Sequence, residues 1–347
     1  MPDSDPRNLQ RIQCVDRGTR FALGVLAMGH PRRVIPAETY LVTRRCYQRT
    51  FRLRPNPETN RIFMYCLALA MAKTGVVLHA ACVMSNHHHL VVTDVRGVLP
   101  EFLRELHRLT AKALNASQGQ WENLWSAERC SAVRLVTDDD VIDKIAYVVS
   151  NPVSAGLVER PEEWPGFMAW DTRGIQVARP MAYFREEGVC APVLFLEVQP
   201  PSLRDRLVLS ADEWSARVRR AIADKVGEAH ALFAKERRRF LGRRAVLATS
   251  FVDKARSYEQ RRSVFPVFAA CLAAVRDRLR RVEQHFRATY RQALDAWRAG
   301  DRAIEFPFGT WSMRVLHSAA VGPPIDLWGE GIATLQEAWR AEVEIAG

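Results

Sequence analysis

The stretch Val76-Val77-Leu78-His79-Ala80-Ala81-Cys82-Val83-Met84-Ser85-Asn86-His87-His88-His89-Leu90-Val91-Val92-Thr93 decides the architecture. Two apolar, valine-rich runs of strand length flank Ser85-Asn86, a pair that favours a turn or bulge, so the segment reads as two adjacent strands, the first of them buried. A membrane span is excluded for the wider apolar tract Ile62 to Met84. Lys73-Thr74-Gly75 breaks it into a helix and a strand, both shorter than a bilayer requires.

Working outward toward the N-terminus, Arg61 to Lys73 places Ile62, Tyr65, Cys66, Leu69 and Ala72 on one helical face, with Gly75 as the stop. Before it, Thr39-Tyr40-Leu41-Val42-Thr43 is β-prone and leads into a basic loop holding Arg44, Arg45, Arg49, Arg52 and Arg54, with Tyr47 and Phe51 interleaved. Toward the C-terminus, Val98 to Asn115 keeps the i, i+3, i+4 spacing of an amphipathic helix. Ala132 to Val136 is a short strand, and Thr137 or one of Asp138 to Asp140 caps a further helix expected to stop at Pro152. The order strand, helix, paired strands, helix, strand, helix predicts an α+β sandwich: a mostly antiparallel sheet covered by helices on one face.

A chain of 347 residues has a prior of two domains. Residues 1–36 read as an extension, 37–175 as the first domain, 176–205 as a linker with Val198-Gln199-Pro200-Pro201-Ser202 its clearest part, and 206–347 as a mainly α-helical region of unassigned role. In that last region, Leu207 to Arg244 and Arg262 to Trp297 are the long helical stretches, and Lys235 to Arg244 is the densest basic run.

Hydrophobic content of 48% with 26% charged residues excludes wholesale disorder, a collagen-like chain and a membrane bundle. Fifty Lys and Arg against 39 Asp and Glu give +11, a balance that suits a polyanion such as nucleic acid and equally a solvated basic surface. Seven scattered cysteines without a Cys-x-x-Cys pair argue against a disulfide framework or zinc knuckle. The polar N-terminus has no signal-peptide core, so the expected location is the cytoplasm.

Chemistry concentrates at two places. In a strand, i and i+2 share a face, so His87 and His89 present two imidazoles to one ion while His88 points the other way. A polar loop or a satisfied histidine cluster also fits that triplet. On the last helix, Asp143, Tyr147 and Asn151 lie four apart, on one face. Tyr147 is usable as a nucleophile if an adjacent ion activates a phosphate, with the Asn151 amide oxygen as a third ligand; a tyrosine packed at a helix–sheet boundary fits as well. The Lys235 to Arg244 run is open between a solvated face and phosphate contact.

Two ordered blocks carry a family resemblance. Met84-Ser85-Asn86-His87-His88-His89-Leu90-Val91 resembles the Met-Pro-Asn-His-hydrophobic-His strand of the HUH single-tyrosine transposases. Tyr147-Val148-Val149-Ser150-Asn151-Pro152-Val153-Ser154-Ala155-Gly156-Leu157-Val158 resembles the Tyr-Ile-His-x-Asn-Pro-Val-x-x-Gly-Leu-Val block of their REP-associated branch (RAYT), and the resemblance runs from about residue 38 to 170. It implies a ferredoxin-like HUH domain that cleaves and rejoins single-stranded or hairpin DNA. His87, His89 and Asn151 would hold Mg²⁺ or Mn²⁺, and Tyr147 would form a 5′-phosphotyrosine. The chain departs from the pattern at Ser85, where proline is usual, at His88, where a hydrophobic residue is usual, and in the long region beyond residue 200. Arg44, Arg45, Arg49, Arg52 and Arg54 are the expected DNA contacts, since aromatics interleave with the cations. Two other readings compete: a domesticated, catalytically silent DNA-hairpin-binding protein, and a metal-dependent phosphoesterase using water in place of Tyr147. The sequence leaves monomer and homodimer equally open.

Overall fold

The computed structural model describes residues 31, 33–171, 174–184, 190–201, 210–256 and 266–323. Most of the expected N-terminal extension, residues 1–30 and 32, lies outside the described residues. The first half of the chain folds as β1 (Glu38–Arg45), α1 (Pro57–Thr74), β2 (Val77–Met84), β3 (His87–Asp94), α2 (Leu99–Gln118), β4 (Ser131–Leu135) and α3 (Asp138–Ser154). Helix α1 starts four residues before the predicted Arg61. The Asn56 side chain caps it by accepting from the Thr59 N–H at 2.7 Å, and Pro57, whose φ is already helical, takes the first position. Gly75 closes it at φ 73°. Thr137 and Asp140 form a reciprocal cap on α3.

The second half adds β5 (Met168–Ala169), β6 (Ile175–Ala178), β7 (Val193–Leu196), α4 (Ala211–Lys235), α5 (Arg243–Ala248), β8 (Phe268–Ala269), α6 (Ala273–Arg298) and α7 (Trp311–His317). The main sheet runs β5-β2-β3-β1-β4-β8, with every pair antiparallel except β4–β8. Its central four strands, β2-β3-β1-β4, have the strand order of the ferredoxin-like βαββαβ unit. The α+β class and this topology agree with the sequence reading.

Helices cover both faces of the sheet, which corrects the one-face expectation. Helices α1 and α2 bury Tyr40, Val42, Leu78, Val83, Leu90 and Val92, whereas α3 and α4 bury Ala80, Cys82, Val91 and Leu135 on the opposite side. The reason is legible in β2 and β3, whose apolar runs do not alternate with polar residues, so each face needs a cover. Pro152 also fails to end α3, which continues to Ser154. In the last turn a proline sacrifices one N–H bond, and the chain recovers with Ala155 N–H donating to Asn151 O at 2.9 Å and Leu157 N–H to Pro152 O at 2.9 Å.

A bulge shifts the β2–β3 register between Leu78 and Ala80, setting His79 aside. Its ring is buried, with Nδ1 at 2.7 Å from Gln199 O and Nε2 at 2.7 Å from Thr93 Oγ1, and burial pushes the imidazole down to about 4. The folded state holds this ring neutral while the unfolded chain takes up a proton near 6.5. Its contribution is therefore full above pH 6.5 and is lost as pH falls toward 4, by about 3 kcal/mol in total. Urea unfolding at pH 7 and pH 4 should show a smaller acid loss in His79→Gln than in the native chain by roughly that amount; equal losses would contradict a neutral buried ring.

Residues 176–205, read as a linker, contain β7 and most of β6, a two-stranded sheet that buries Val177 and Leu196 against α1. The region from 206 onward is joined to the first half at several points. Helix α4 lies along α3, β8 extends the sheet beside β4, and Trp311 Nε1 donates to Glu101 Oε2 at 3.1 Å. The predicted helix over 207–244 ends instead at Lys235 (202–209 lie outside the described residues), and Arg237 adopts φ 52°, so the basic run forms a turn before α5. Close packing fixes this turn: at Gly156, with φ 73°, an added Cβ would fall 2.5 Å from Phe233 Cζ. Among the described residues, no helix is long and apolar enough to cross a membrane.

Candidate active site

The β1–β3 register pairs Thr43 with His89, Arg44 with His88 and Arg45 with His87. Period-two alternation then places His87, His89, Thr43 and Arg45 on the α3 side and His88 on the α1–α2 side. His88 is fully buried there, Nε2 3.0 Å from His107 Nε2, with Phe63 and Trp125 against its ring. Burial first, and His107 second, hold it well below its ordinary pKa. It packs as the period predicted and takes no part in the pair.

The rings of His87 and His89 stand edge to face, 4.7 Å between centroids. His87 Nδ1 is 2.6 Å from the Asn86 side-chain oxygen, so Nδ1–H donates and Nε2 is the acceptor nitrogen of the ring. His89 is held from both sides: Nδ1 lies 2.8 Å from Thr43 Oγ1 and Nε2 3.4 Å from Asn151 Nδ2. The Asn151 amide donates only to a lone pair, which puts the His89 proton on Nδ1, facing Thr43. Both rings thus carry the proton on Nδ1, oriented by a neighbour, and keep Nε2 as the acceptor nitrogen, the tautomer found at metal-ligating histidines. Burial, with His87 beside it, keeps His89 well below its ordinary pKa and hence neutral at pH 7.

Helix α3 supplies the remaining groups. The Tyr147 ring lies 5.3 Å from the His89 ring, and 38% of the residue is exposed, so its position is accessible from solvent. Burial around the hydroxyl raises the phenol above its ordinary value, opposed by the Lys144 charge and an Asn151 hydrogen bond. Asp143, one turn earlier, is paired with two lysines. Burial alone would raise its carboxyl, but Lys144 at 2.6 Å and Lys225 at 2.7 Å hold it lowered. Lys225 comes from α4, so the second half of the chain braces the tyrosine helix.

The structure therefore brings together His87, His89, Tyr147 and Asn151, the four residues singled out from two distant blocks. Among the described residues no three His, Cys, Asp or Glu side chains gather to hold a metal ion, and any ion here would rest on two imidazoles and the Asn151 amide, turned to present its oxygen. The five arginines separate. Arg45 lies near enough to Tyr147 and His89 to lower both pKa values, and Arg49 stands beside the Ser85-Asn86 turn, its carbonyl accepting from Asn86 Nδ2 at 3.4 Å. The other three also bond to protein groups. Arg44 donates to Ser126 O at 3.1 Å, Arg54 to Thr249 O, and the buried Arg52 to Gln118 Oε1 at 2.5 Å and Asn115 Oδ1 at 2.8 Å. Arg52 is thus a link between the loop and α2, which corrects its reading as a phosphate contact. Sequence reasoning missed Thr43, Asn86, Lys144 and Lys225. Asn86 adjoins the histidines and was a detectable signal; Thr43 depends on strand register and Lys225 on helix docking.

The chain is similar, over part of its length, to a REP-associated tyrosine transposase. That structure, bound to a REP hairpin, is 19% identical with a TM-score of 0.35, over 41% of this chain and 81% of the other. A Deinococcus radiodurans R1 protein carrying a transposase assignment is 16% identical with a TM-score of 0.25, over 40% of this chain and 97% of the other. No protein-family profile and no curated protein sequence matches the chain.

Proposed function

We propose that the chain is a metal-dependent DNA transposase that nicks and rejoins single-stranded, hairpin-associated DNA through a 5′-phosphotyrosine on Tyr147. The observation that carries this reading is an accessible tyrosine 5.3 Å, ring to ring, from a neutral imidazole whose Nε2 accepts from Asn151, one turn after Tyr147 on the same helical face. The net charge of +11 suits the polyanion.

The donor set of two pre-oriented imidazoles and an amide oxygen fits a divalent ion. Mg²⁺ or Mn²⁺ held by His87, His89 and Asn151 would polarise a phosphoryl oxygen and offset charge developing on it. Tyr147 Oη attacks phosphorus and the bond from phosphorus to the 3′-oxygen breaks. The phenol proton passes to solvent, the departing oxygen takes one up as a 3′-hydroxyl, and the 5′-phosphate stays on the tyrosine. Lys144 favours the phenolate, and Arg45 adds positive charge on the same side. Because the phosphoester is retained on Tyr147, attack by a 3′-hydroxyl reverses the step and joins strands.

The test is incubation of the protein with labelled hairpin DNA carrying single-stranded flanks, with Mg²⁺ or Mn²⁺, followed by a denaturing gel and peptide mass mapping. An adduct on the peptide containing Tyr147 is expected. Tight binding without an adduct across a panel of hairpins would favour the catalytically silent DNA-binding protein.

A further inference from the structure

The stretch from Lys235 to Lys254 contains seven Lys or Arg against two carboxylates, and it does not continue α4 as one helix face. It leaves α4 through Arg237, in a left-handed conformation, and its cations are unevenly neutralised. Arg238 pairs with Glu236 at 3.0 Å over the Phe233 ring, and Arg243 donates to Glu163 O at 3.2 Å. Arg237, Arg239 and Arg244 are exposed and form no ion pair among the described residues. Like charges crowded this way repel unless an anion joins them.

Both ends of the stretch are pinned beside the site. At one end, Leu241 N–H donates to Gly156 O and Gly242 N–H to Leu157 O, each at 2.9 Å, fixing the basic turn to the end of the tyrosine helix. Tyr147 is seven residues before Ser154, about 10 Å along the helix axis. At the other end, Phe51 N–H donates to Asp253 O at 2.8 Å and Arg54 to Thr249 O, tying the stretch to the loop after β1. That loop reaches the histidines through Arg49 O, Asn86 and His87. Lys254 Nζ donates to Gln48 Oε1 at 2.8 Å, and Gln48 Nε2 to Tyr47 Oη at 3.2 Å. Tyr47 is 47% exposed, which leaves ring surface for a base. The stretch is therefore an anchored basic strap linking the tyrosine half of the site to the histidine half. A paired duplex hides its base faces, so cations beside an exposed aromatic favour a single strand.

We propose that residues 235–254 carry the phosphate backbone of the single-stranded DNA flank past the site, with Tyr47 as a stacking face for one of its bases. The proposal rests on the DNA-cleaving reading above and adds where the flank runs.

Fluorescence anisotropy with two labelled substrates, a bare hairpin and the same hairpin with a single-stranded flank, titrated with KCl, tests it. The triple variant Arg237→Ala, Arg239→Ala, Arg244→Ala should flatten the log Kd against log salt slope for the flanked substrate by about 2. The bare hairpin should keep its slope, the corresponding triple Lys variant should restore the flanked slope, and Tyr47→Ala should weaken only flanked binding, by about tenfold. A native slope in the triple Ala variant that still forms the adduct would overturn the strap and leave the chemistry standing. Equal flattening on both substrates would overturn its assignment to the single strand, and no binding of either DNA by the native chain would overturn both readings.

Discussion

Tyr147→Phe is expected to abolish the covalent DNA adduct and lower strand cleavage by on the order of 10⁴-fold or more, while hairpin affinity stays within about twofold. The substitution deletes one oxygen from a residue already exposed at the site and leaves the ring against His89. Packing of α3 against the sheet rests on Val141, Ile145, Val148 and Val149, none of which it touches chemically. A denaturing gel with end-labelled substrate measures the first effect and anisotropy the second. Cleavage that survives would transfer the nucleophilic role to water or another side chain, and with it the reading as a transposase would fall.

His89→Ala should lower metal-dependent cleavage by about 10³-fold and remove the response of rate to Mn²⁺ concentration. His89 has the greater expected effect of the pair, because it is buried and oriented by Thr43 and Asn151, whereas His87 is half-buried and oriented by the adjacent Asn86. Calorimetric titration of the DNA-free protein with Mn²⁺ gives a readout separate from turnover. Unchanged Mn²⁺ affinity together with unchanged cleavage would show that the imidazole pair serves packing, as His88 does on the other face of the same strand.

The contrast between His88 and its neighbours illustrates how much of the site could be read from the chain. Their separation follows from a period of two, a property of any extended backbone, so it required only that residues 87 to 93 form a strand. Tyr147 and Asn151 followed likewise from a spacing of four on a helix whose start, Thr137 with Asp140, is encoded locally. What failed was of a different kind. Arg52 carries the same charge as Arg45, and composition could not tell which one turns inward to Gln118 and Asn115 and which stays beside Tyr147. The Lys235 to Arg244 run had helical composition, yet Phe233 seated on Gly156 and the bonds from Leu241 and Gly242 stabilise a turn over the helix.

By itself, then, the sequence determined the order of elements from β1 to α3, the faces on which the histidines, tyrosine and asparagine lie, and a basic character suited to a polyanion. Each of these depends on local periodicity or on sums over residues. Only the tertiary structure decided that α3 covers the second face of the sheet, bringing Tyr147 and Asn151 onto the histidine pair from about 60 residues away in the chain. It also decided that Lys225 braces Asp143 and that the basic strap joins the two halves of the site. Those contacts arise when long-range apolar surfaces are buried together, and no short-range pattern specifies which distant surfaces will meet.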